Sequence, residues 1–425
     1  MHAVIYPGNI AGQITAPPSK SMTQRAYAAA LLHKGTTTIH HAGDSDDEQA
    51  ALNVILDLGA TIISKTTTSI TLSSEGIAPV NNHINCGESG LAARLFTPIA
   101  ALSALPLTIN GRGSLTGRPM HGFNDVLTEL GVTIGGFEQY LPITLQGPIE
   151  AKSITMDATS GSQFVSGLLF ALSYAAKEPI TLTVNNLNSK PYIDLTMSVL
   201  KQFGIPITHT DHRVFFIDPA LFTHNQHIDI NIEGDWSGSA NLLVAGAIAG
   251  SVTVHNLQTE STQADRAIMD ILVNAGAKVH TDGNSVTVQQ SAMHGFEFDA
   301  THCPDLFPIL AILAGYCNGE STIRGVHRLF HKESNRAESI GEMLQSFDIP
   351  YSIEDDMLCI EGGARLQGTM IDPYKDHRIA MAAAIGGLCA NTQVDIPDAE
   401  AVNKSYTRFF KDLSLCGVKC VINES

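Results

Sequence analysis

The segment His331–Arg336 reads H-K-E-S-N-R and concentrates charged side chains between two apolar stretches. If it begins a helix, Lys332 and Arg336 stand four residues apart on one face, where two cations repel each other unless an anion binds. Glu333 between them could be their counter-ion, or could donate and accept a proton. A solvated helix start is the alternative, because charged helix ends are common. The six residues alone leave both interpretations open.

Further cations stand in short polar segments, although the chain as a whole is acidic. Its formal net charge is -17, from 25 Lys and Arg against 42 Asp and Glu. This charge argues against nucleic acid as a partner, so any cation cluster must act locally. Taken singly, each cation could be an ordinary surface or salt-bridged residue, but together they indicate a substrate with several negative charges. They are Lys20, Arg25, Arg94, Arg118, Lys332, Arg336, Arg378 and Lys404.

Neutral donors and carboxylates complete the candidate chemistry. Hydroxyl and amide groups could orient a phosphate or a sugar-like ring, although a serine at a helix start is more often an N-cap. The sequence has no GxSxG nucleophile, P-loop or dinucleotide fingerprint, which argues against serine hydrolysis and nucleotide hydrolysis. The neutral donors are Ser162, Gln163, Ser189 and Tyr192, and the carboxylates that could carry protons are Glu333, Asp305 and Asp376.

The cysteines and histidines indicate neither a disulfide framework nor a metal site. The seven cysteines are scattered without a CxxC pair, and the seventeen histidines form no HExxH motif. We therefore expect no metal, and free thiols in a reducing compartment. No basic region followed by an apolar run opens the chain, and no apolar run reaches the length of a membrane span. These features predict a cytoplasmic protein without a membrane partner.

Six copies of one unit must position these residues. In each copy, an apolar segment of helical period ends in a small turn and continues as a strand. Glycine just past a helix end provides the left-handed cap conformation, so five of the six turns have a physical explanation and Asp348 is the exception. Ordinary α/β sequence with coincidental spacing is the alternative. The turn residues are Gly59, Gly131, Gly204, Gly276, Asp348 and Gly417, with successive differences of 72, 73, 72, 72 and 69.

A second, more apolar helix precedes the turn helix in each copy and is opened by one of the polar segments. Units of about 72 residues are longer than the usual solenoid repeat, and they fit small α/β units better. A chain of 425 residues exceeds one ordinary core, so three units in each of two domains is the natural division. The boundary is expected around 224–232.

Read in order, the motifs resemble those of the 5-enolpyruvylshikimate-3-phosphate synthases, a family of enolpyruvyl transferases. The match covers almost the whole chain, and its ordered set of motifs is far more specific than any one of them. The motifs are P-S-K-S-x-x-x-R at Pro18, D-S-D-D at Asp44, S-G-x-x-x-R at Ser89, R-P at Arg118, S-Q-F at Ser162, S-K-P-Y-I-D at Ser189, E-G-D at Glu233, P-D at Pro304, K-E-x-x-R at Lys332, D-H-R at Asp376 and N-K-S at Asn403.

The resemblance implies an α/β fold of two similar domains, each with three repeated α/β units arranged as an inside-out α/β barrel. It places the active site in the interdomain cleft. Residues 19–230 would form the first domain, on the shikimate 3-phosphate side. Residues 1–18 and 231–425 would form the second, catalytic domain on the phosphoenolpyruvate side. The resemblance also implies a monomer.

The implied reaction transfers the enolpyruvyl group of phosphoenolpyruvate to the 5-hydroxyl of shikimate 3-phosphate by addition and elimination. Phosphate is released, without a metal or organic cofactor, in the shikimate pathway to chorismate and the aromatic amino acids. By the same resemblance, Glu333 would move the proton at the methylene carbon, while Asp305 and Lys332 would handle the hydroxyl. Lys20 would act beside phosphoenolpyruvate.

The resemblance also assigns the binding residues. The shikimate phosphate would be held by Ser162, Ser189 and Tyr192, with Gln163 near both substrates. The shikimate ring and its carboxylate would be bound by Ser21 and Arg25. Phosphoenolpyruvate would be surrounded by Lys20, Arg118, Arg336, Arg378 and Lys404. Further substrate-binding positions would be Gly90, Arg94 and His377.

Some positions depart from the commonest pattern of the family, and two rival functions stay open. None of the departures removes a charged group assigned to the chemistry. The related UDP-N-acetylglucosamine enolpyruvyl transferases share the fold and phosphoenolpyruvate, but the loop from Gly111 to Arg118 lacks the cysteine usual there. The other rival is an anion-binding relative without turnover, which the intact K-E-x-x-R motif argues against. The departures are Glu88, Leu91, Gly161, Arg328 and Phe330.

Overall fold

A computed structural model of the chain describes residues 1–136, 139–159, 161–363 and 365–423. The chain divides into two compact units. The central unit is Pro18–Ile232, and the terminal unit joins Met1–Pro17 to the chain from Glu233 onward. Both units are built of helices and small sheets, so the expected α/β fold is confirmed.

The chain begins with two strands of the terminal unit, β1 (His2–Ile5) and β2 (Ile10–Thr15). The described part of the central unit then has two helices for each of its three sheets. The helices are α1 (Lys20–Leu32), α2 (Asp46–Asp57), α3 (Gly90–Ala100), α4 (Phe123–Glu129), α5 (Ser162–Ala175) and α6 (Pro191–Gln202). The strands are β3 (Gly35–His40), β4 (Thr61–Lys65), β5 (Ser69–Ser74), β6 (His83–Asn85), β7 (Leu107–Asn110), β8 (Thr133–Gly136), β9 (Ile143–Gln146), β10 (Ile154–Asp157), β11 (Ile180–Asn185), β12 (Thr208–Thr210), β13 (Val214–Ile217) and β14 (His227–Asn231).

The rest of the terminal unit follows the same alternation of helices and hairpins. Its helices are α7 (Trp236–Ala249), α8 (Ile268–Asn274), α9 (Phe307–Tyr316), α10 (Arg336–Ser346), α11 (His377–Gly387) and α12 (Phe409–Leu415). Its strands are β15 (Gly250–His255), β16 (Lys278–Asp282), β17 (Ser285–Gln289), β18 (Glu297–Asp299), β19 (Gly319–Arg324), β20 (Tyr351–Glu354), β21 (Met357–Gly362), β22 (Val394–Ile396) and β23 (Cys420–Asn423). Short 3-10 helices lie at Gly113–Gly117, Pro219–Leu221, Ala264–Ala267, Pro304–Leu306, Val326–Arg328 and Ala399–Lys404.

One sheet topology recurs through the described residues. In the central unit the strand orders are β14-β3-β5-β4, β6-β7-β9-β8 and β10-β11-β13-β12, each with one parallel pair followed by two antiparallel pairs. In the terminal unit β2-β15-β17-β16 and β18-β19-β21-β20 repeat this pattern. The last sheet, β22-β1-β23, is antiparallel, and a parallel bridge from Met370 to Asp395 stands in place of its lead strand. These are separate sheets, and the described strands do not close into one barrel.

The six turn residues all have the left-handed conformation that their spacing predicted. Because an L side chain is disfavoured there, glycine fits five of these turns, and aspartate is one of the few other residues that tolerate it. The repeat is therefore confirmed as six structural units. The φ angles are 116° at Gly59, 80° at Gly131, 78° at Gly204, 96° at Gly276, 61° at Asp348 and 86° at Gly417.

The first helix of each repeat is almost wholly buried, which explains its apolar sequence. In α7, for example, every residue except Ser237 is buried. Among the described residues, no helix has both the length and the apolar character needed to cross a membrane.

Candidate active site

The H-K-E-S-N-R segment is not the first turn of a helix. Helix α10 starts only at its last residue, Arg336, and Lys332 and Glu333 lie in the bend that precedes it. The interpretation that Lys332 and Arg336 share one helical face is therefore wrong. The bend brings Glu333 back to Arg336, so the segment forms a cluster of charges rather than a repulsive pair.

Arg336 is the centre of this cluster and has only 1% of its side chain exposed. Its Nε and Nη2 donate to the two carboxylate oxygens of Asp376 at 2.7 and 3.2 Å. Nη1 donates to Oδ1 of Asp305 at 2.6 Å, and Nη2 also donates to Oε2 of Glu333 at 2.7 Å. Burial alone would lower the pKa of Arg336, but Asp376, Glu333 and Asp305 raise it well above its usual range. This guanidinium is therefore a permanent cation that fixes three carboxylates.

Lys332 joins the same cluster through Asp305. Its Nζ lies 3.3 Å from Oδ1 of Asp305, the oxygen that also accepts from Arg336. Burial lowers the pKa of Lys332, Asp305 opposes this shift, and Arg336 adds to it. A lysine with a lowered pKa and a carboxylate within reach can exchange a proton more readily than an ordinary surface lysine.

Arg378 lies on the other side of Asp305, near the start of α11. Its Nη2 is 3.5 Å from Oδ2 of Asp305, and the side chain is 4% exposed. Its Nε and Nη1 are buried and have no hydrogen-bond partner among the described protein atoms. Burial would lower the pKa of Arg378, but Asp305, Asp235 and Asp265 raise it. A buried guanidinium with unused donors is suited to receive an anion.

His377 and Lys404, two other predicted binding residues, lie beside this cluster. His377 is buried, with Nδ1 3.7 Å from Oδ1 of Asp376. Lys404 is also buried, and its Nζ donates to the backbone oxygen of Lys375 at 3.2 Å. Asp376 caps α11 by accepting the backbone N–H of Arg378 at 2.9 Å. The terminal unit thus connects its other predicted residues through Asp305 and Asp376, and Lys404 is held by the backbone of Lys375, next to Asp376.

In the central unit, Lys20 and Arg25 are both engaged by the protein. Lys20 Nζ forms an ion pair with Oδ2 of Asp47 at 2.8 Å. Arg25 is buried and donates to Oγ1 of Thr196 at 2.8 Å and to Oγ of Ser166 at 3.4 Å. It also donates to the backbone oxygens of Ser21 at 2.8 Å and Tyr192 at 3.3 Å.

Within the described part of the chain, these four bonds leave Arg25 one unused N–H, on Nη1, since a guanidinium has five. Burial lowers the pKa of Arg25 to about 10, although Tyr192 opposes the shift, so the group stays charged at neutral pH. Its guanidinium carbon also lies 5.9 Å from the centre of the Tyr192 ring. Arg25 therefore ties α1 to α6 and has one donor left for a ligand.

Arg94 and Arg118 form a second cationic pair around Gly90. Arg94 Nη1 donates to the Gly90 oxygen at 3.1 Å and approaches Oε1 of Gln163 at 3.5 Å, while Nη2 donates to the Pro119 oxygen at 2.8 Å. A Cβ added at Gly90 would lie 2.6 Å from Nη1 of Arg118 and 2.9 Å from Nη1 of Arg94. A side chain at Gly90 would therefore have to displace one or both guanidinium groups.

The neutral donors lie where α5 and α6 begin. Ser162 is the first residue of α5, and the N-cap that precedes it is Gly161. The Ser162 side chain is buried. Ser189 is buried with a φ of 56°, and Tyr192 is the second residue of α6. Since free backbone N–H groups and the helix dipole favour anions at such positions, these residues suit a phosphate.

The comparison with known proteins decides the family. The family model described as EPSP synthase (3-phosphoshikimate 1-carboxyvinyltransferase) matches residues 5–413. The chain belongs to the EPSP synthase family. The 3-phosphoshikimate 1-carboxyvinyltransferase of Clostridium novyi is 32% identical over 422 residues, which cover 97% of each chain. That of Thermococcus kodakarensis is 36% identical over 404 residues, covering 95% of this chain and 97% of its own.

Solved structures agree on the fold. An EPSP synthase from Acinetobacter baumannii aligns over 100% of both chains with a TM-score of 0.83 at 24% identity. The enolpyruvyl transferase NikO from Streptomyces tendae aligns over 99% of this chain and 98% of its own, with a TM-score of 0.77 at 16% identity. At such identities the likeness bears on the fold alone, whereas the EPSP synthase family is established from sequence.

Membership of the EPSP synthase family confirms the resemblance seen in the motifs. The chain is a transferase of the shikimate pathway, and the family acts on shikimate 3-phosphate and phosphoenolpyruvate.

Three residues that depart from the usual EPSP synthase pattern lie in different surroundings. Leu91 is buried, and Phe330 is exposed. Arg328 instead lies close enough to the cluster that Asp305 opposes the lowering of its pKa by burial.

Sequence reasoning did not select Asp265, which belongs to the same cluster. It is buried and accepts a short hydrogen bond from the Ser237 hydroxyl, while its Oδ1 has no partner among the described protein atoms. Burial and the nearby Asp305 raise the pKa of Asp265 to about 7, although Arg378 and the hydrogen bond from Ser237 oppose the shift. Asp265 is part of no motif quoted for the EPSP synthases, so only its position in the fold reveals it.

The raised pKa of Asp265 has a measurable effect on stability. Because the folded protein holds this proton more tightly than the unfolded chain, the stability it contributes is full below about pH 4 and is lost as the pH rises through about 7. The parent protein should therefore lose free energy of unfolding between pH 5 and pH 8, and the Asp265→Asn variant should lose roughly 1–4 kcal/mol less over the same range. Urea unfolding at several pH values measures it.

The matched control is Asp270→Asn, at an exposed carboxylate in the first turn of α8. Its pH profile should follow that of the parent protein. If Asp265→Asn and the parent lose the same stability between pH 5 and pH 8, Asp265 does not titrate in this range.

Proposed function

We propose that the terminal unit carries out the proton transfers by which this chain joins phosphoenolpyruvate to shikimate 3-phosphate. The observation that carries the proposal is that one buried guanidinium, Arg336, holds both Asp305 and Glu333, with Lys332 on the same oxygen of Asp305. An addition needs a proton donor for one carbon and an acceptor for the attacking hydroxyl, so two fixed proton carriers match the need.

The proposed reaction consists of an addition and an elimination. Asp305 and Lys332 take the proton of the shikimate 5-hydroxyl while its oxygen bonds to C2 of phosphoenolpyruvate. Glu333 gives a proton to C3, which becomes a methyl group in the tetrahedral intermediate. In the elimination, Glu333 takes a proton back from that methyl group as the C2–O bond to phosphate breaks. The proton of the former hydroxyl leaves with the phosphate.

Binding of phosphoenolpyruvate is assigned to cations of both units. Two nitrogens of Arg378, Nε and Nη1, are buried without a hydrogen-bond partner among the described residues, which supports a role as a receptor for a carboxylate or phosphate. Arg336 and Lys404 extend the positive charge on the terminal unit, and Lys20 and Arg118 do so on the central unit. Such donors stabilise the charge that develops in the transition state, and they cost no reorganisation when already fixed.

Binding of shikimate 3-phosphate is assigned to the central unit. Ser162, Ser189 and Tyr192 would hold the phosphate, and Gln163 would reach both substrates. Ser21 and the one unused N–H of Arg25 would bind the ring hydroxyls and carboxylate. Arg94 is assigned the role of orienting Gln163, because its Nη1 approaches the amide oxygen at 3.5 Å.

A phosphate-release assay on the purified chain tests the proposal. Release is expected with phosphoenolpyruvate plus shikimate 3-phosphate, and the organic product should carry a carboxyvinyl ether. Release with UDP-N-acetylglucosamine instead would assign the chain to the related transferases. Tight binding of both substrates without any release would indicate an anion-binding relative that has lost turnover.

Gly90 provides a test of the phosphoenolpyruvate-binding cations. Replacing Gly90 with alanine should displace Arg118 and raise the KM for phosphoenolpyruvate about tenfold, since losing about 1.4 kcal/mol of a charge-assisted bond has that effect. Steady-state kinetics with each substrate varied in turn measures it. The KM for shikimate 3-phosphate should change much less.

The control is Gly135→Ala in β8, where an added Cβ meets nothing within 4 Å. It should leave both KM values unchanged. A Gly90→Ala variant with parental kinetics would argue that Arg118 does not bind phosphoenolpyruvate.

We also propose a monomer in the cytoplasm. The seven cysteines are all free thiols, which supports a reducing compartment. Light scattering during size-exclusion chromatography should give the mass of a single chain. A stable dimer would refute the first part of this proposal, and recovery from a secreted fraction would refute the second.

A further inference from the structure

Three polar side chains converge in the central unit at positions that the proposed function does not use. They are Asp194 in the first turns of α6, His209 in β12 and His212 in the turn between β12 and β13. One possible ligand atom from each lies within 4.8 Å of the other two. Aspartate with two histidines is a ligand set that transition metals use widely.

His212 has a backbone conformation that is unfavourable for a residue with a side chain. Three residues, 211–213, link the two strands, and the N–H of Arg213 donates to the Thr210 oxygen at 2.9 Å, which closes a β-turn around Asp211 and His212. Both turn residues have positive φ, 54° and 53°, as in a type I′ turn, where the second position usually belongs to glycine. A side chain at that position costs on the order of 1 kcal/mol. The imidazole of His212 stands where the turn would be more stable with glycine.

The turn directs both imidazoles toward the same carboxylate. His212 Nε2 lies 2.7 Å from Oδ1 of Asp194, and His209 Nε2 lies 3.9 Å from the same oxygen. The two imidazole centres are 4.0 Å apart, with their planes at 35°. In a tetrahedral site with bonds of about 2.0–2.1 Å, neighbouring ligand atoms are roughly 3.3 Å apart. The separation of 2.7 Å therefore has to open and that of 3.9 Å has to close, each by about 0.6 Å, while the two imidazole nitrogens already lie within 4.8 Å of each other.

A hydrogen bond to Asp194 explains the position of the His212 imidazole but not that of the His209 imidazole. Oδ1 of Asp194 accepts from His212, while His209 stands too far away to share it. We propose that Asp194, His209 and His212 form a binding site for a divalent transition metal of the zinc class. The imidazoles favour Zn²⁺, Co²⁺ or Ni²⁺ over Mg²⁺ and Ca²⁺, which prefer oxygen ligands. The side chains are 22–36% exposed, which leaves room for water as a further ligand.

Metal binding requires two local rearrangements. A metal at Nε2 of His212 replaces the hydrogen bond to Oδ1 of Asp194, so the proton of a neutral His212 moves to Nδ1. The backbone N–H of His212 donates to Nδ1 of His209 at 3.0 Å, so a neutral His209 carries its proton on Nε2. A metal at Nε2 moves that proton to Nδ1, and the N–H of His212 must then bond to water. The backbone bond is worth about 1 kcal/mol and the bond of His212 to the carboxylate about 1.5–3 kcal/mol, so the site is weaker than a closed site with four protein ligands.

The site would fasten the start of α6 to the hairpin. Two turns of this helix carry Tyr192 and Thr196, whose oxygens hold Arg25. The metal is thus assigned a stabilising role beside the shikimate-binding residues, not a role in the reaction. Because its ligands touch no group assigned to proton transfer, metal binding can be measured whether or not the proposed catalytic roles hold.

The test uses the full-length chain without an affinity tag, stripped with a chelator and titrated with ZnCl₂ in a calorimeter. One equivalent should bind, and the unfolding temperature should rise with added Zn²⁺ but not with Mg²⁺. His212→Asn keeps a residue that tolerates positive φ, so the turn is retained while the imidazole is removed. This variant and His209→Ala should each weaken binding by about tenfold or more, since even partners that only orient a ligand contribute that much.

The matched control is the double variant His40→Ala with His227→Ala. These residues flank Asp229 in the same unit, each 3.0 Å from one of its oxygens, but they are more exposed and lie on different oxygens. The control should bind like the parent. The proposal is overturned if no equivalent binds, if His212→Asn binds as tightly as the parent, or if the control loses the site. A thiolate charge-transfer band with Co²⁺ would assign the binding to cysteine and overturn it as well.

Discussion

Glu333→Gln should lower the turnover of the enzyme about a hundredfold or more, the usual scale for removing a general acid or base. The amide keeps the size of the carboxylate and can still accept the bond that Arg336 Nη2 donates at 2.7 Å. It cannot carry a proton to and from a carbon atom. The substrates should therefore still bind, and the loss should appear in kcat rather than in the dissociation constants.

Single-turnover kinetics with equilibrium binding separates these two effects. Glu338→Gln is the control, because this glutamate lies in the first turn of α10 but is exposed. It should leave the single-turnover rate unchanged. A Glu333→Gln rate within about threefold of the parent rate would remove Glu333 from the proton path, because an acid or base in that path contributes far more. Equal losses in both variants would point to an effect on α10 as a whole.

The repeat could be predicted from sequence because its cause is local. A helix that ends in a left-handed turn needs glycine, or a residue such as aspartate, at one position whatever the rest of the chain does. The same applies to the burial of the first helix of each repeat, since an apolar sequence such as that of α7 has no other stable place. The motifs then identified the family, and with it the reaction.

The partners of the charged residues could not be predicted, because they come from distant parts of the chain. Arg336 pairs with Asp305 and Asp376, which lie 31 and 40 residues away. The sequence suggested a local repulsion with Lys332, which these carboxylates cancel. Asp265 was overlooked for the same reason: no local pattern distinguishes a carboxylate that becomes buried beside Arg378 from one that stays in solvent.

Local sequence patterns also could not predict the pairing of strands that are distant in the chain. β14 runs parallel to β3, pairing Ile230 with Ile39, although it follows the third repeat of the central unit. β2 pairs with β15 in the terminal unit, and β1 lies between β22 and β23. Thus β14, β2 and β1 each complete a sheet whose other strands come from a distant part of the chain. Such pairings depend on which sheet edge is still unpaired when the other strands have folded, and the hydrophobic periodicity of the sequence does not indicate this.

Asp376→Asn should reduce the free energy of unfolding by about 3 kcal/mol, because it removes one of the three carboxylates that compensate the charge of a buried guanidinium. Asp376 is wholly buried and binds Arg336 through both oxygens. Asparagine keeps the shape and can still cap α11 by accepting the N–H of Arg378, so the change tests the charge alone. Glu333 and Asp305 still face Arg336, which keeps the loss at the lower end of the range for broken buried pairs.

Urea unfolding of the variant, with Asp398→Asn as its control, measures this effect. Asp398 is exposed, and its φ of 46° suits asparagine, so the control should change stability by less than about 0.5 kcal/mol. In the double variant with Arg336→Met, the added loss from Asp376→Asn should be much smaller, since no buried cation remains to be left unpaired. Additive losses would mean that Asp376 stabilises the fold through its other contacts, with Ser334 and the start of α11, and not through Arg336.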